Sequence, residues 1–466
     1  PINNMAGISN RFGSNLSRFD RLVISTLAGL ALLTGLMLWR GDRVGAQVVS
    51  LTPPDNATNV STRSRIRVTF DQPLAVQSFD TPLSFSPAVS GAVRWEGPQL
   101  IFTPNQPLEP GTTYTATLAE DLANEQGRTL PSPLSWQFQT AQPRLLFMSQ
   151  DEQAREQLYL LDPTDNKTVQ LTAEPLGVFD YELSPDGALV AYAAIREDGG
   201  NDLWIVAIAD QERYPLLLCP GAVCNGVAWR PDGARLVYER RNMLVAGAAP
   251  GPPRLWWLEP ATAETAPVFE DTQIIGYGAG WSPDGQWLSY LAPASQGVQI
   301  YNVVDGRTFL IPSRMNDLPA WSPQENVLIV TDIQAREEGF VVHLLRARPD
   351  SGELVDISGE DQMVEDSSAA WSADGEWIIF TRKAAGAAMG KQVWLMRADG
   401  AAARYLTADP NIHHAFPSWS PDGRSVTFQS LPLKEPGAMP SIWLLEVETG
   451  QTRQLARAAG RPLWLP

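Results

Sequence analysis

The sequence is poor in the residues that most often build catalytic and metal sites. It has two Cys and three His among 466 residues. It also lacks a G-x-S-x-G nucleophile elbow, a phosphate-binding glycine loop, an H-E-x-x-H pair, an EF-hand calcium loop and a C-x-x-C-H haem attachment. We therefore predict no catalytic, cofactor-binding or metal-ligating residues, and no enzymatic activity.

Basic charge is scarce as well. The formal net charge is -17, from 35 Lys and Arg against 52 Asp and Glu. Nucleic-acid binding needs a basic footprint that neutralises phosphates, so no nucleic-acid partner is expected. Anionic lipid headgroups would also repel so acidic a surface, and membrane attachment would require insertion of an apolar segment.

Only one long apolar run is present, from Leu22 to Trp39, with 18 residues and no charge. At about 1.5 Å per helical residue this run spans about 27 Å, close to the thickness of a thin hydrocarbon core. We predict a single transmembrane helix over residues 22–39. A cleavable signal peptide ending near Ala46 is the alternative, although the run exceeds the usual signal-peptide core.

The flanking charges set the expected orientation. Three Arg (Arg11, Arg18 and Arg21) precede the apolar run, and two (Arg40 and Arg43) follow it. By the positive-inside rule, residues 1–21 form a cytoplasmic segment and the later domains lie on the other side of the membrane.

The two cysteines lie five residues apart in the turn-rich stretch "CPGAVC". Pro220 and Gly221 could turn the chain so that Cys219 and Cys224 form a disulfide, which fits an oxidising compartment. Metal binding is the alternative, but two thiolates alone make an incomplete zinc site.

What the sequence has in abundance is turn residues and Trp, with 36 Gly, 38 Pro and 16 Trp. Together these favour an all-β chain of short strands, and the length suggests two or three domains. Residues 48–140 alternate short segments such as "RIRVTF", "TYTATL" and "LSWQFQT" with Pro- and Gly-containing corners. This region resembles a bacterial Ig-like domain, which implies a β-sandwich that acts as a spacer or adhesive module.

The remainder of the chain repeats a motif close to W-S-P-D-G. Its copies begin at Leu183, Trp229, Trp281, Trp321, Trp371 and Trp419, at spacings of 46, 52, 40, 50 and 48 residues. These spacings are typical of four-stranded propeller blades. Pro, Asp and Gly suit successive positions of a tight turn, so the Asp residues are interpreted as turn residues rather than catalytic carboxylates.

The last residues of the chain explain how the repeat would close. The segment Arg144–Gln150 resembles the later strand of a blade without its Trp-Pro strand, and "GRPLWLP" supplies that strand. Pairing of residues 460–466 with the chain start gives a seven-bladed β-propeller over 144–466 and removes exposed sheet edges. A six-bladed ring with 460–466 unpaired is the alternative.

The repeat resembles the TolB-type propeller, whose blades also resemble those of prolyl-oligopeptidase enzymes. The resemblance rests on W-S-P-D-G, the aromatic strand after it and strands ending in "LT", as at Leu171-Thr172 and Leu406-Thr407. It implies the fold, whereas function differs widely among such propellers. Seven blades depart from the six expected of TolB itself, so its partners are not carried over.

Polar residues precede the innermost strands and are predicted to approach the central channel. This predicted polar ring could hold a cation or a small polar ligand, or could simply be a solvated channel mouth. Neighbouring His413 and His414 point in different directions on an extended chain, which disfavours a shared metal. The members of the ring are Asp180, Asn225, Tyr277, Asp317, Asp366 and His414.

These features together predict an anchored, non-catalytic scaffold or accessory subunit that binds other proteins of a membrane complex. It would sit in the bacterial cytoplasmic membrane as a single-pass protein, with its main domains in the periplasm or outside the cell. A glycan- or small-ligand-binding propeller is the second hypothesis. An enzyme that uses the channel ring with His414 is the third.

Overall fold

The computed structural model describes residues 18–41, 46–74, 82–119, 122, 134–243, 245 and 249–465. Residues 1–17 of the predicted N-terminal segment lie outside this set, as do the side chains of residues 20 and 36–41. The apolar run lies within the helix α1 (Arg18–Gly41). Among the described residues, no helix combines the length and the apolar character needed to cross a membrane.

The region after α1 is a β-sandwich. Its sheets have the strand orders β1-β3-β6-β5 and β2-β8-β7-β4. Alternate side chains of β3 point between the sheets, where Ile66, Val68 and Phe70 pack with Trp136 and Phe138. The eight strands are β1 (Val48–Thr52), β2 (Ala57–Val60), β3 (Ile66–Phe70), β4 (Leu83–Ser86), β5 (Gly91–Glu96), β6 (Gln99–Pro104), β7 (Thr113–Leu118) and β8 (Leu134–Thr140).

The rest of the chain is a series of short antiparallel strands with one 3-10 turn, Pro293–Ser295. The strands are β9 (Leu145–Gln150), β10 (Glu156–Asp162), β11 (Lys167–Gln170), β12 (Val178–Leu183), β13 (Leu189–Ile195), β14 (Asn201–Ala207), β15 (Arg213–Leu217), β16 (Ala222–Trp229), β17 (Leu236–Asn242), β18 (Arg254–Glu259), β19 (Glu264–Pro267), β20 (Tyr277–Trp281), β21 (Trp287–Ala292), β22 (Gly297–Asn302), β23 (Thr308–Pro312), β24 (Ala320–Trp321), β25 (Leu328–Arg336), β26 (Gly339–Arg348), β27 (Glu353–Asp356), β28 (Val364–Trp371), β29 (Trp377–Ala384), β30 (Gln392–Arg397), β31 (Arg404–Tyr405), β32 (Ile412–Trp419), β33 (Ser425–Pro432), β34 (Ser441–Glu446), β35 (Thr452–Arg457) and β36 (Ala459–Trp464).

These strands form four-stranded antiparallel units. Strands β20–β23 and β32–β35 make one sheet each, and strands β12–β19 and β24–β31 make eight-stranded sheets. Each eight-stranded sheet is two four-stranded units joined by a single parallel pair, Asn201 with Val223 or Val342 with Glu365. The remaining sheet has the order β11-β10-β9-β36, so the last strand of the chain pairs with the first strand of this domain.

The first strand of each unit lies against the first strand of the next, as for β12 with β16, β16 with β20 and β28 with β32. The last unit contacts β36, and the Tyr181 hydroxyl of β12 donates to the backbone carbonyl of Arg461. The units therefore follow one another around a common axis, with their apolar side chains packed between adjacent sheets.

Antiparallel order gives this domain two distinct faces. One side of the domain carries the connection that follows the first strand of each unit, and we call this side the turn face. These connections are residues 184–188, 230–235, 282–286, 322–327, 372–376 and 420–424. The hairpin face is the opposite side, with the links between second and third strands and the links that lead into each first strand.

Candidate functional site: the channel and the two faces

The repeated turns of the turn face are closed by their own side chains. Ser282 Oγ donates to Asp284 Oδ1 at 2.6 Å, and the same carboxylate oxygen accepts the Gln286 amide at 2.9 Å. Ser282 Oγ also accepts the Trp287 amide at 2.9 Å, while Gly285 holds a φ of 68° that suits glycine. The turns around Asp186, Asp374 and Asp422 repeat this pattern. These carboxylates stabilise turns.

The Trp of the repeat joins neighbouring units. Trp281 Nε1 donates to the Ala228 carbonyl at 3.2 Å, and Trp371 Nε1 donates to the Ala320 carbonyl at 2.9 Å. Each acceptor belongs to the preceding unit and lies just before that unit's own Trp. The indole therefore acts as a wedge that fixes one unit against the next.

The structure does not place the predicted polar ring at one level. Asn225, Tyr277 and Asp317 lie four residues before their anchor residue, whereas Asp180 lies three before its anchor. Asp366 and His414 lie five residues before theirs. Because side chains alternate along a strand and bulges interrupt most of these first strands, such offsets send the side chains in different directions.

Asp366 is fully buried in an ion pair rather than open to the channel. Its two carboxylate oxygens accept from Arg382 Nε and Nη2 at 2.7 Å each, and Oδ2 also accepts from Ser358 Oγ at 2.6 Å. Arg382 is only 6% exposed. Both charges are thus satisfied within the protein, and this carboxylate has no obvious capacity left for a ligand.

His414 is also buried, with its ring edge against Phe428 at a centroid distance of 4.8 Å. Burial lowers the pKa of His414 to about 4, with His413 adding to the effect, so the imidazole is neutral at pH 7. Its Nδ1 has no hydrogen-bond partner among the described residues. The arrangement is that of a packed core histidine.

Two acidic side chains that the predicted ring omitted, Glu182 in β12 and Glu239 in β17, lie near Asp180 of the ring. Burial, and to a smaller extent the neighbouring Asp180, raises the pKa of Glu182 to about 8. Burial also raises the pKa of Glu239, whose Oε1 accepts the Gly278 amide at 2.8 Å. Asp180 accepts the Gly226 amide at 2.7 Å. Hydrogen bonds thus link the acidic side chains of one unit to the first strand of the next.

Lys391 lies near two members of the predicted ring, Asp317 and Asp366. Lys391 Nζ donates to Ser367 Oγ at 2.6 Å, and burial lowers the pKa of Lys391 while Asp317, Glu365 and Asp366 oppose that shift. Asp317 and Asp366 of the predicted ring are therefore near the same cation. Asn225 is 8% exposed, and the Tyr277 hydroxyl donates to Asn316 at 3.1 Å.

The remaining predicted pair is a disulfide. Cys219 and Cys224 are joined with a Cα to Cα distance of 6.3 Å, and both are fully buried. No group of three or more His, Cys, Asp or Glu side chains in the described part of the chain is arranged to hold a metal ion.

The sandwich domain lies over the turn face. Arg65 Nη2 donates to the Pro231 carbonyl at 3.4 Å, between strand β3 and a repeat turn. A cavity of about 440 Å³ separates the two domains here, and a second of about 390 Å³ lies between residues 106–110 and the turns at 372–374 and 421–423. The sandwich thus covers part of the face that the repeat turns form.

The hairpin face differs in its surface chemistry. Its connections, together with the first residues of β26, carry eight large apolar side chains that are 41–69% exposed, namely Leu176, Leu218, Val245, Leu318, Phe340, Met389, Leu433 and Met439. On the described connections of the turn face, Val304 is the one comparable side chain. Sequence reasoning missed this asymmetry because these residues fall outside the repeated motif.

A protein family and several solved structures are similar to parts of this chain. Residues 42–140 match the bacterial Ig-like domain family. No curated protein matches the chain. The chain is similar to the crystal structure of TolB from Acinetobacter baumannii, with 13% identity, a TM-score of 0.43 and 83% of each chain covered.

Enzymes also occur among the similar structures. A puromycin hydrolase matches with 16% identity and a TM-score of 0.51, over 67% of this chain and 51% of the hydrolase. An oligogalacturonate lyase in complex with manganese matches with 17% identity and a TM-score of 0.41, over 57% and 72%. This chain therefore spans about half the length of the hydrolase, and at such identities the likeness concerns the fold alone. The protein is an all-β chain with an Ig-like domain followed by a β-propeller.

Proposed function

We propose that this protein is a non-catalytic accessory subunit of a membrane complex, and that it binds a partner protein through the hairpin face of a closed seven-bladed propeller. The observation that carries the proposal is the unequal distribution of exposed apolar side chains between the two faces. Contiguous apolar surface left in water is unfavourable, and on soluble domains it marks interaction sites.

The blade count follows from counting each four-stranded unit as one blade. Each of the two eight-stranded sheets contributes two blades, and each of the three four-stranded sheets of this domain contributes one, which gives seven blades. Closure through β36 leaves a rigid disc, and a rigid disc holds exposed side chains in a fixed pattern with a smaller loss of conformational entropy on binding than flexible loops would have.

The apolar side chains of the hairpin face come from different blades. Leu218 lies beside the disulfide, Phe340 lies at the tip of a long hairpin, and Met439 lies near the last full blade. A partner that contacts all of them must span much of the disc. A protein surface fits this requirement better than a small molecule does.

Although no helix of the described residues has the length and apolar character needed to cross a membrane, we propose from the sequence that the uncharged run at residues 22–39 within α1 is the membrane anchor. This run carries Leu22, Ile24 and Leu32 at 52–73% exposure, and Arg residues flank it on both sides. Such side chains would gain from insertion into hydrocarbon. We place the N-terminus inside a bacterial cytoplasmic membrane and the two β domains outside it, where a disulfide is stable.

The test is co-purification in mild detergent from membranes that contain the tagged full chain. Wild type is expected to carry stoichiometric membrane subunits. Exchanging two apolar side chains, Leu218→Ser with Phe340→Ser, should reduce their recovery at least fivefold. Val304→Ser is the matched control, because it removes an equally exposed side chain from the turn face, and it should not change recovery.

A chain that purifies without partners would overturn the proposal. So would equal recovery with the double variant and the control. Unchanged thermal unfolding of both variants keeps the comparison valid, since exposed positions rarely alter stability by more than about 0.5 kcal/mol.

A further inference from the structure

The cavity between the Ig-like domain and the turn face has an unusual charge balance. Three Arg at alternate positions, Arg63, Arg65 and Arg67, line its wall on the Ig-like side. Ile66, between Arg65 and Arg67, is buried in the domain at 0% exposure, and Thr62, just before Arg63, is 2% exposed. Alternation in β3 points Arg67 away from the buried Ile66, Arg63 lies in the turn before this strand, and all three Arg line the cavity.

These guanidinium groups lack acidic partners. No carboxylate of the described residues forms an ion pair with any of the three, and the one hydrogen bond is the 3.4 Å contact from Arg65 to Pro231. Arg63 remains solvent-accessible, yet the surrounding protein lowers the pKa of its guanidinium by burial. A concave site with low-dielectric protein walls focuses the electric field of its cations, which strengthens their attraction for an anion.

The carboxylates across the cavity are already engaged. Asp186 accepts from Ser184 Oγ at 2.7 Å and from the Ala188 amide at 3.1 Å. Asp232 accepts the Ala234 amide at 3.1 Å and lies 3.4 Å from Arg230. Neither of these two carboxylates forms an ion pair with Arg63, Arg65 or Arg67; the ion pair of Asp232 is with Arg230.

The other groups that line the cavity suit a ligand with hydroxyls. Asn105, Gln106 and Gln324 bring side-chain amides, and Trp229 brings an aromatic ring. A volume of about 440 Å³ lies within the range of small-ligand sites. Guanidinium groups pair well with phosphate and carboxylate oxygens.

We propose that this interdomain cavity binds a small organic anion that carries a phosphate or carboxylate group together with hydroxyls, such as a sugar phosphate or a sugar acid. Arg63 and Arg67 bind the anionic group. The amides of the cavity bind the hydroxyls. The ligand then bridges the two domains at a place distinct from the hairpin face.

The test is isothermal titration calorimetry of the full chain in detergent at low salt, with glucose 6-phosphate and with glucuronate as probes. At least one probe should bind at a 1:1 ratio, and glucose should not bind. The better probe identifies the anionic group. Arg63→Gln and Arg67→Gln should each weaken binding at least tenfold.

Arg94→Gln is the matched control, because it removes one positive charge from the same domain at an exposed ion pair with Glu96. Its affinity should stay within twofold of wild type. Saturable binding of neither probe would overturn the proposal, as would equal weakening by Arg94→Gln. Binding of inorganic phosphate as tight as that of glucose 6-phosphate would overturn the contribution of the hydroxyls. Unfolding temperatures of the variants should match wild type, since neither Arg63 nor Arg67 has a described polar partner.

Discussion

The turn face and the hairpin face belong to the same strands, yet they differ in almost every physical respect. On the turn face, Ser, Asp and Gly repeat from blade to blade and satisfy one another within each turn. On the hairpin face, the connections differ in length and expose apolar side chains. The residues that repeat from turn to turn are those that the fold requires. The connections that differ from blade to blade are where we look for a function particular to this protein.

Removal of the buried Asp366 carboxylate should have the largest effect on stability. It tests whether this polar group near the hairpin face stabilises the fold. Asp366→Ala should destabilise the protein by about 3–5 kcal/mol, because it leaves the buried Arg382 charge unpaired. Chemical denaturation measures the change. Asp317→Asn is the control and should cost under about 1 kcal/mol, since Asp317 Oδ2 has no described hydrogen-bond partner. A small effect at Asp366 would reopen the channel as a ligand site.

The repeat turn is the next test of the comparison. Ser282→Ala removes bonds to Asp284 and to the Trp287 amide at a fully buried position. We expect a loss of about 1–3 kcal/mol in the free energy of unfolding. An equivalent exchange on the hairpin face, Phe340→Ala, should cost far less. Equal losses at the two positions would contradict the division between the faces.

Glu182 predicts a pH dependence that arises in the channel. Its native pKa of about 8 exceeds the ordinary value of 4.5, so the folded state holds a proton that the unfolded state releases. The stability that this bound proton contributes is fully present below pH 4.5 and is lost as the pH rises to about 8. Between these two values the free energy of unfolding should fall by about 1.4 kcal/mol for each pH unit. Glu182→Gln should flatten this part of the stability profile. An unchanged profile would place Glu182 in water.

The smallest expected effect lies on the hairpin face itself. Phe340→Ser should change the free energy of unfolding by no more than about 0.5 kcal/mol, because the side chain is 63% exposed. Thermal and chemical unfolding both measure it. A loss above 2 kcal/mol would mean that Phe340 packs within the fold, and the interaction surface would then have to exclude it.

Much of the fold could be predicted because its signals are local and repeated. The Trp-anchored turns mark the ends of the first strands, and the chain-end segment resembles a missing first strand, which the structure pairs with β9. The segments "RIRVTF", "TYTATL" and "LSWQFQT" correspond to strands β3, β7 and β8. Each of these inferences needs only neighbouring residues or an internal copy.

The channel could not be predicted in the same way. Bulges in the first strands, with positive φ at Gly226, Ser368 and Arg461, shift which side chains point inward. Glu182 could have been found from the sequence, because it is the one charged residue at its position in the repeat. The other copies have Ala, Gly, Ser or Leu just before the anchor Trp. The interdomain cavity carried no such signal, because its lining comes from separate segments scattered along the chain between Thr52 and Ala373.

Site-specific photo-crosslinking in native membranes would show whether a partner protein docks on the hairpin face. A photoreactive amino acid would replace Phe340 in one variant and Val304 in another. We expect a discrete, stoichiometric adduct with another membrane protein at Phe340 and none at Val304. Adducts at Val304 alone, or none at either position, would contradict docking on the hairpin face.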